Sequence, residues 1–217
     1  MNGVLFVEGR DDIYVISFLA EGNGIPESFT IHDSENDAQA MSAFKTFLKG
    51  ANYQGLSYKG EKLDFAVERL GIVIDANGSR DSKWQQLKTA IKKQGHTCPE
   101  VLDENGLHIV DEEQAVSHVG VWLMPDNVSA GMIETFFKDF IPSDDPLKAN
   151  VETFINSLPE EPKPRPKAEV RTWLACQTKS ESMMGRFLQK NKTTNLNLNN
   201  DLATKFVAWL KQVFSDQ

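Results

Sequence analysis

The chain has 217 residues, 40% of them hydrophobic and 25% charged, which is enough to bury one full core, and its formal net charge is −8. No stretch approaches the roughly 18 consecutive apolar residues that cross a bilayer, and the opening MNGVLFVEG lacks the basic residues and long apolar run of a secretory leader. Two distant cysteines, Cys98 and Cys176, show neither a disulfide framework nor CxxC zinc spacing, so buried or half-buried reduced thiols in a cytoplasmic protein with no membrane partner are expected.

Residues 4–7 form a continuous apolar run, the pattern of a strand buried on both faces, and Asp11 and Asp12 follow where helix caps and first-turn acids are favoured. The helix predicted over 12–20 closes near Gly22 or Gly24. A second strand is expected over 29–32, then a helix whose Met41, Phe44 and Leu48 recur at three- and four-residue steps and which stops at Gly50. In LGIVID the next buried strand, 70–74, ends on Asp75; the helix beyond it turns Trp84, Leu87 and Ile91 to one face and closes at Gly95. A short strand over 106–110 precedes a fuller one over 119–123, with Pro125, Asp126 and Asn127 just past its end. The helix over 130–140 makes its apolar face from Met132, Ile133, Phe136 and Phe137, with Glu134 pointing elsewhere. From there the pattern is helical only, over 144–158, 167–177, 183–189 and 199–214, with a polar loop over 192–200. Trp122, Trp173 and Trp209 fall in apolar runs and read as core. Alternating strands and helices imply an α/β fold, doubly wound around a mainly parallel sheet with helices on both faces, whose ligands bind at the carboxyl ends of the strands. The α/β part is placed at 1–140, with a helical extension over 141–217 packed on it.

Charge divides the chain unevenly: up to Glu161 there are 27 acidic and 13 basic residues, and from Pro162 onward 4 and 10. An acidic body repels a phosphate backbone unless divalent cations or a basic surface intervene. The basic tail could meet nucleic acid or pack on that body, and packing is the expectation. His32, His96, His108 and His118 lack metal-ligand spacing and read as surface or loop residues.

Glu8, Asp75 and Asp126 each follow an apolar strand, where a doubly wound sheet gathers its ligand site. Carboxylates brought within a few ångströms repel one another unless a cation neutralises them, and hard oxygen ligands select Mg²⁺ or Mn²⁺. A GxxxxGK phosphate loop is absent, so any ATP-driven step belongs to a partner protein.

VEGRDD followed by IDANGSRD resembles the Toprim (topoisomerase-primase) domain, whose signature is a glutamate after the first strand and a DxD motif after a later one. MPDNVSAGMIETFF resembles the third motif of a family of small stand-alone Toprim-like proteins, related to the nuclease domains of the overcoming-lysogenization-defect (OLD) type; KAEVRTWLACQ is similar to that family's C-terminal region. The resemblance covers nearly the whole chain. It implies a two-metal nuclease in which Glu8 and Asp12 flank one Mg²⁺ or Mn²⁺, Asp75 holds a second and Glu134 completes the ligand shell, with Gly9 giving a tight turn. Arg10, Lys83 and Lys167 are the candidates for stabilising transition-state charge, Lys167 being placed in the catalytic set with Glu8 and Asp75. Arg10, Asp126 and Asn127 are placed on the substrate side. Where the pattern calls for a second aspartate the chain has Asn77, an amide that ligates without charge; Asp81 is weighed as its substitute or as the cap of the following helix. The resemblance also implies DNA in preference to RNA as substrate, a partner ATPase and a role in phage defence. A homo-oligomer is left open, as is the choice of one ion or two. The competing expectation is a catalytically impaired regulatory or protein-binding module of the same fold, with a phosphatase or phosphotransfer enzyme third.

Overall fold

The computed structural model describes residues 2–25, 28–57, 60–190 and 195–215; the first part of the loop expected over 192–200 lies outside the described residues. β1 (Gly3–Val7) leads into α1 (Arg10–Gly22), β2 (Phe29–Asp33) into α2 (Asp37–Phe47), and a hairpin of β3 (Asn52–Leu56) and β4 (Lys62–Ala66) precedes β5 (Arg69–Asp75) and α3 (Arg80–Lys93). β6 (Leu107–Val110) and β7 (His118–Met124) complete the strands, and α4 (Ile133–Lys138), α5 (Pro146–Ser157), α6 (Arg165–Ala175), α7 (Met184–Lys190) and α8 (Asp201–Phe214) follow.

The main sheet has the order β2-β1-β5-β7-β6, parallel except for β6, which pairs antiparallel with β7 along one edge. From β1 the chain winds outward to β2, then returns to β5 on the other side. Between β1 and β5 it therefore opens the crevice in which such folds bind ligands. Strand alternation divides the core into two layers. Leu5, Val7 and Val73 face a cluster built with α1 and α4 to α8, whereas Val4, Phe6, Ile72 and Ile74 face one built with α2, α3 and the hairpin. An α/β fold with helices on both faces and a helical C-terminal region is thus observed, as expected from the strand–helix alternation.

α8 crosses the first layer closely enough to need two glycines: a Cβ on Gly71 would meet Phe214 at 2.8 Å, and one on Gly120 would meet Val213 at 2.5 Å. Gly71 and Gly120 are register partners on β5 and β7. Trp209 completes the seat by donating from Nε1 to the Leu107 carbonyl at 2.8 Å. Basic residues of the tail meet acids of the body, Lys167 with Glu134 at 3.6 Å and Lys205 with Glu104 at 2.7 Å, as the charge division anticipated.

Several local expectations shift. The fourth helix spans only Ile133–Lys138, because Met132 and the residues before it are extended or bent. α3 is capped by Ser79, whose side chain accepts from Ser82 N at 3.3 Å, so Asp81 is not the cap; it is exposed and paired with Arg80. Of the histidines only His96 lies in a loop, and there it is buried; His32 lies on β2, and His108 and His118 stack across β6 and β7 with ring nitrogens 3.1 Å apart. Both cysteines are free, Cys98 buried and Cys176 exposed. Among the described residues no helix is long and apolar enough to cross a membrane.

Candidate active site

β1 and β5 each deliver a carboxylate to the crevice as they leave the sheet. Glu8 directly follows Val7, and its Oε1 accepts from the backbone N–H of Asp75 at 2.7 Å, joining the two strand ends across the switch point. Asp75 is the last residue of β5, and its Oδ1 accepts from the backbone N–H of Ile133 at 2.9 Å, which draws the start of α4 over the sheet edge. That contact carries Glu134 in with it, buried and facing Lys167 of α6. Asp12 enters from the first turn of α1, one turn after Glu8. The resulting cavity, about 1030 Å³, is lined by all four of these acids.

Its rim comes from α6 and the segment before α7. Lys167 and Arg171 stand one helical turn apart on α6, and Glu181 to Met183 close the far side. Arg10, largely exposed and 3.9 Å from Asp33, lies on the opposite lip with Asp11 and Glu35.

Burial sets the electrostatics. It pushes the Asp75 carboxyl up to about 8, with the negative charges of Glu8 and Glu134 adding to the rise and the Ile133 N–H and Lys167 opposing it. Asp12, almost fully buried, is raised well above its ordinary value by burial and then by Asp75 and Glu8. Burial also raises Glu8 and Asp11, in part offset by backbone donors: Asp75 for Glu8, Met184 and Gly185 for Asp11. Oδ1 of Asp11 and Oδ1 of Asp12 are buried without a hydrogen-bond partner. Carboxyl oxygens left unsatisfied beside other carboxyl groups are the kind of hard donor that a divalent cation such as Mg²⁺ or Mn²⁺ would take. Among the described residues no three Asp, Glu, His or Cys side chains are already drawn together as a finished metal cage.

Of the residues singled out from sequence, Glu8, Arg10, Asp12, Asp75, Glu134 and Lys167 meet in this crevice. Five others do not line it, among them Asp81, exposed beside Arg80. Asn77 is exposed, at φ 51°, and its backbone N–H is bound to the Gly131 carbonyl. Asp126 spends its carboxylate on the N–H groups of Val128 and Ser129, shaping its own loop. Asn127 is fully buried; its Oδ1 accepts from Leu123 N at 2.7 Å and its Nδ2 donates to the Glu104 carbonyl, so it is a brace inside the fold. Lys83 is ion-paired with Asp37. Gly9 caps α1 in extended backbone, φ −165°, a conformation any residue adopts, so it makes no glycine-dependent turn. Sequence reasoning placed Asp11 only as a helix-cap or first-turn acid and passed over Glu35, Arg171 and Glu181. Only Arg171 carried a readable signal, its four-residue spacing from Lys167.

Fold and crevice together define an α/β protein whose switch point gathers buried carboxylates opposite two cations. A family model described as "Protein of unknown function (DUF3226)" matches residues 2–215, and the chain belongs to that family. No curated protein and no solved structure matches it.

Proposed function

We propose that the chain is a divalent-metal-dependent phosphodiesterase acting on nucleic acid, a Toprim-type nuclease with DNA as the preferred substrate, serving beside a partner ATPase in phage defence. One observation carries the chemistry: Glu8, Asp12, Asp75 and Glu134 share a crevice at the switch point, with Lys167 and Arg171 facing them. Those four acids would hold Mg²⁺ or Mn²⁺, a set made wholly of carboxylates because Asn77 stands outside it. When bound, such a cation supplies Lewis-acid polarisation of water and of a phosphoryl oxygen.

The chain's own groups account for the rest. Asp75, pushed up to about 8, holds a proton at neutral pH in the metal-free protein. Its Oδ1 is engaged by Ile133 N–H, which leaves the proton to Oδ2. Lys167 and Arg171 present positive charge on the wall where the non-bridging oxygens of a phosphodiester would lie, and electrostatic complementarity of that kind is the main lever in phosphoryl transfer. The chain carries no phosphate-loop motif, so any ATP-driven step would fall to the partner.

The test is cleavage of plasmid, single-stranded DNA and RNA with Mg²⁺ or Mn²⁺. Glu8→Gln, which keeps the acceptor for Asp75 N–H while removing the charge, is expected to lower the rate by about 100-fold or more. One observation favours a second reading, a non-catalytic module of the same fold: Asn77, at the position of the motif's second acid, is exposed and off the crevice. Wild-type protein inert with every metal, alone and with its ATPase, would establish that reading instead.

A further inference from the structure

We propose that the groove between α2 and α3 is a second docking site for the same nucleic acid, holding the phosphodiester backbone through Lys45, Lys49 and Lys93. The proposal rests on the nuclease reading only for the identity of the polymer. The groove, about 550 Å³, runs between the outer faces of the two helices over the small side chain of Ala90, and the amides of Gln86 and Gln94 add further donors. No carboxylate lines it.

That composition is unusual for this chain. Its net charge is −8, and on α3 four of the five cations are committed to carboxylates. On α3 itself Arg80 pairs with Asp81, Lys83 with Asp37, and both Lys88 and Lys92 with Glu100. Lys93, on the same helix, has no carboxylate partner among the described residues, and neither do Lys45 on α2 and Lys49 in the turn just after it. Three unneutralised ammonium groups thus share one concave, acid-free strip. Lysine is a compact, hydrated point charge, suited to phosphate contacts that position a strand without reading its bases.

A ligand that reached both the crevice and the groove would have to be a polymer. α2 starts where β2 ends and α3 starts just past β5, so both helices begin at the sheet edge that carries Glu8 and Asp75 and run away from it. At 1.5 Å per residue, Lys45 and Lys93 stand roughly 12 Å and 20 Å back from that edge. A ligand engaging both crevice and groove is therefore several nucleotides long, at about 3.4 Å per nucleotide along one strand.

The experiment measures binding of a labelled 30-nucleotide single-stranded DNA by fluorescence anisotropy without added metal, across a salt series, for the full chain and for Lys45→Ala/Lys49→Ala/Lys93→Ala. The triple variant is expected to bind at least about tenfold more weakly at 0.1 M salt, with a log Kd against log salt slope smaller by about 2. Its Mn²⁺-dependent hydrolysis of bis(p-nitrophenyl) phosphate should match wild type. Equal affinity and slope in a variant of wild-type Tm, or no DNA binding by wild type, overturns the proposal. So does polyglutamate binding as tightly as DNA and losing that affinity in the variant. A binding difference that persists although wild-type protein cleaves nothing, alone or with its ATPase, sinks the nuclease reading and leaves the groove in place.

Discussion

Asp75 sits between two backbone contacts and two negative neighbours, and this position makes its charge state a measurable quantity. The carboxyl is raised from 3.8 to about 8, so between those values the native state keeps a proton that the unfolded chain has released. Its contribution to stability therefore declines as pH rises through that interval. Asp75→Asn preserves the acceptor for Ile133 N–H and removes the charge. Above pH 8 the metal-free variant should melt roughly 2–4 °C higher than wild type, the shift that about 1 kcal/mol produces in a chain of this size. Mn²⁺ should raise the wild-type Tm and leave the variant's unchanged, because a ligand bound only by the native state stabilises it. An equal rise in both would remove Asp75 from the cation site. His108 titrates in the opposite sense. Burial, helped by His118 and Arg69, lowers it from 6.5 to about 4, so as pH falls through that range the unfolded chain gains a proton that the native state refuses. Stability present above pH 6.5 is lost toward pH 4. Asp75 moves the other way over part of the same range, so the informative quantity is wild-type Tm minus His108→Gln Tm, which should fall on acidification; a flat difference would refute the assignment.

Helices are held here by close approaches that periodicity does not reveal. α7 lies so near α1 that a Cβ at Gly185 would stand 2.0 Å from the Tyr14 Cβ and 2.9 Å from its backbone. Side-chain motion cannot relieve that clash. Gly185→Ala should cost about 1–3 kcal/mol by overpacking. Since Glu181 to Met183 lead into α7 and line the crevice, the variant should also lose DNA cleavage at temperatures where it remains folded; circular dichroism melts alongside cleavage assays separate the two effects. Apolar runs of β1, β5 and β7 were legible in advance because both faces of those strands are buried. The β3–β4 hairpin was not. Its strands read NYQGL and KLDFA and are mostly exposed or half-exposed, so no buried run marks them. The fourth helix came out shorter than its apolar pattern suggested, since the Ile133 N–H is committed to Asp75 and the residues before it to the loop around Pro125.

Taken as a whole, the chain is held together by its last helix. Phe206, Trp209, Leu210, Val213 and Phe214 are buried against the same sheet face as α1, and Arg69 on β5 donates to the Val213 carbonyl at 3.0 Å. Removing residues 201–217 should therefore abolish cooperative unfolding of the entire protein, with no stable fragment ending near residue 140 in limited proteolysis. A folded 1–140 fragment with a sharp melt would contradict this. The sequence by itself determined the α/β class, the principal strands and which carboxylates end them, because apolar runs, helical periods and strand tips are properties of residues within a few positions of one another. Glu8 and Asp75 were legible as strand tips and Asp12 through the Toprim resemblance, while Asp126 shows that a strand end alone does not fix where its carboxylate goes. Only tertiary structure decided which polar groups face the crevice: Asp75 meets Glu8 and Ile133 from 67 and 58 residues away. Asn127 turns inward to brace Leu123, and Arg171 and Glu181 arrive from the packing of α6 and α7. Those outcomes depend on how distant segments satisfy one another's hydrogen bonds and volumes, and local spacing holds no record of that.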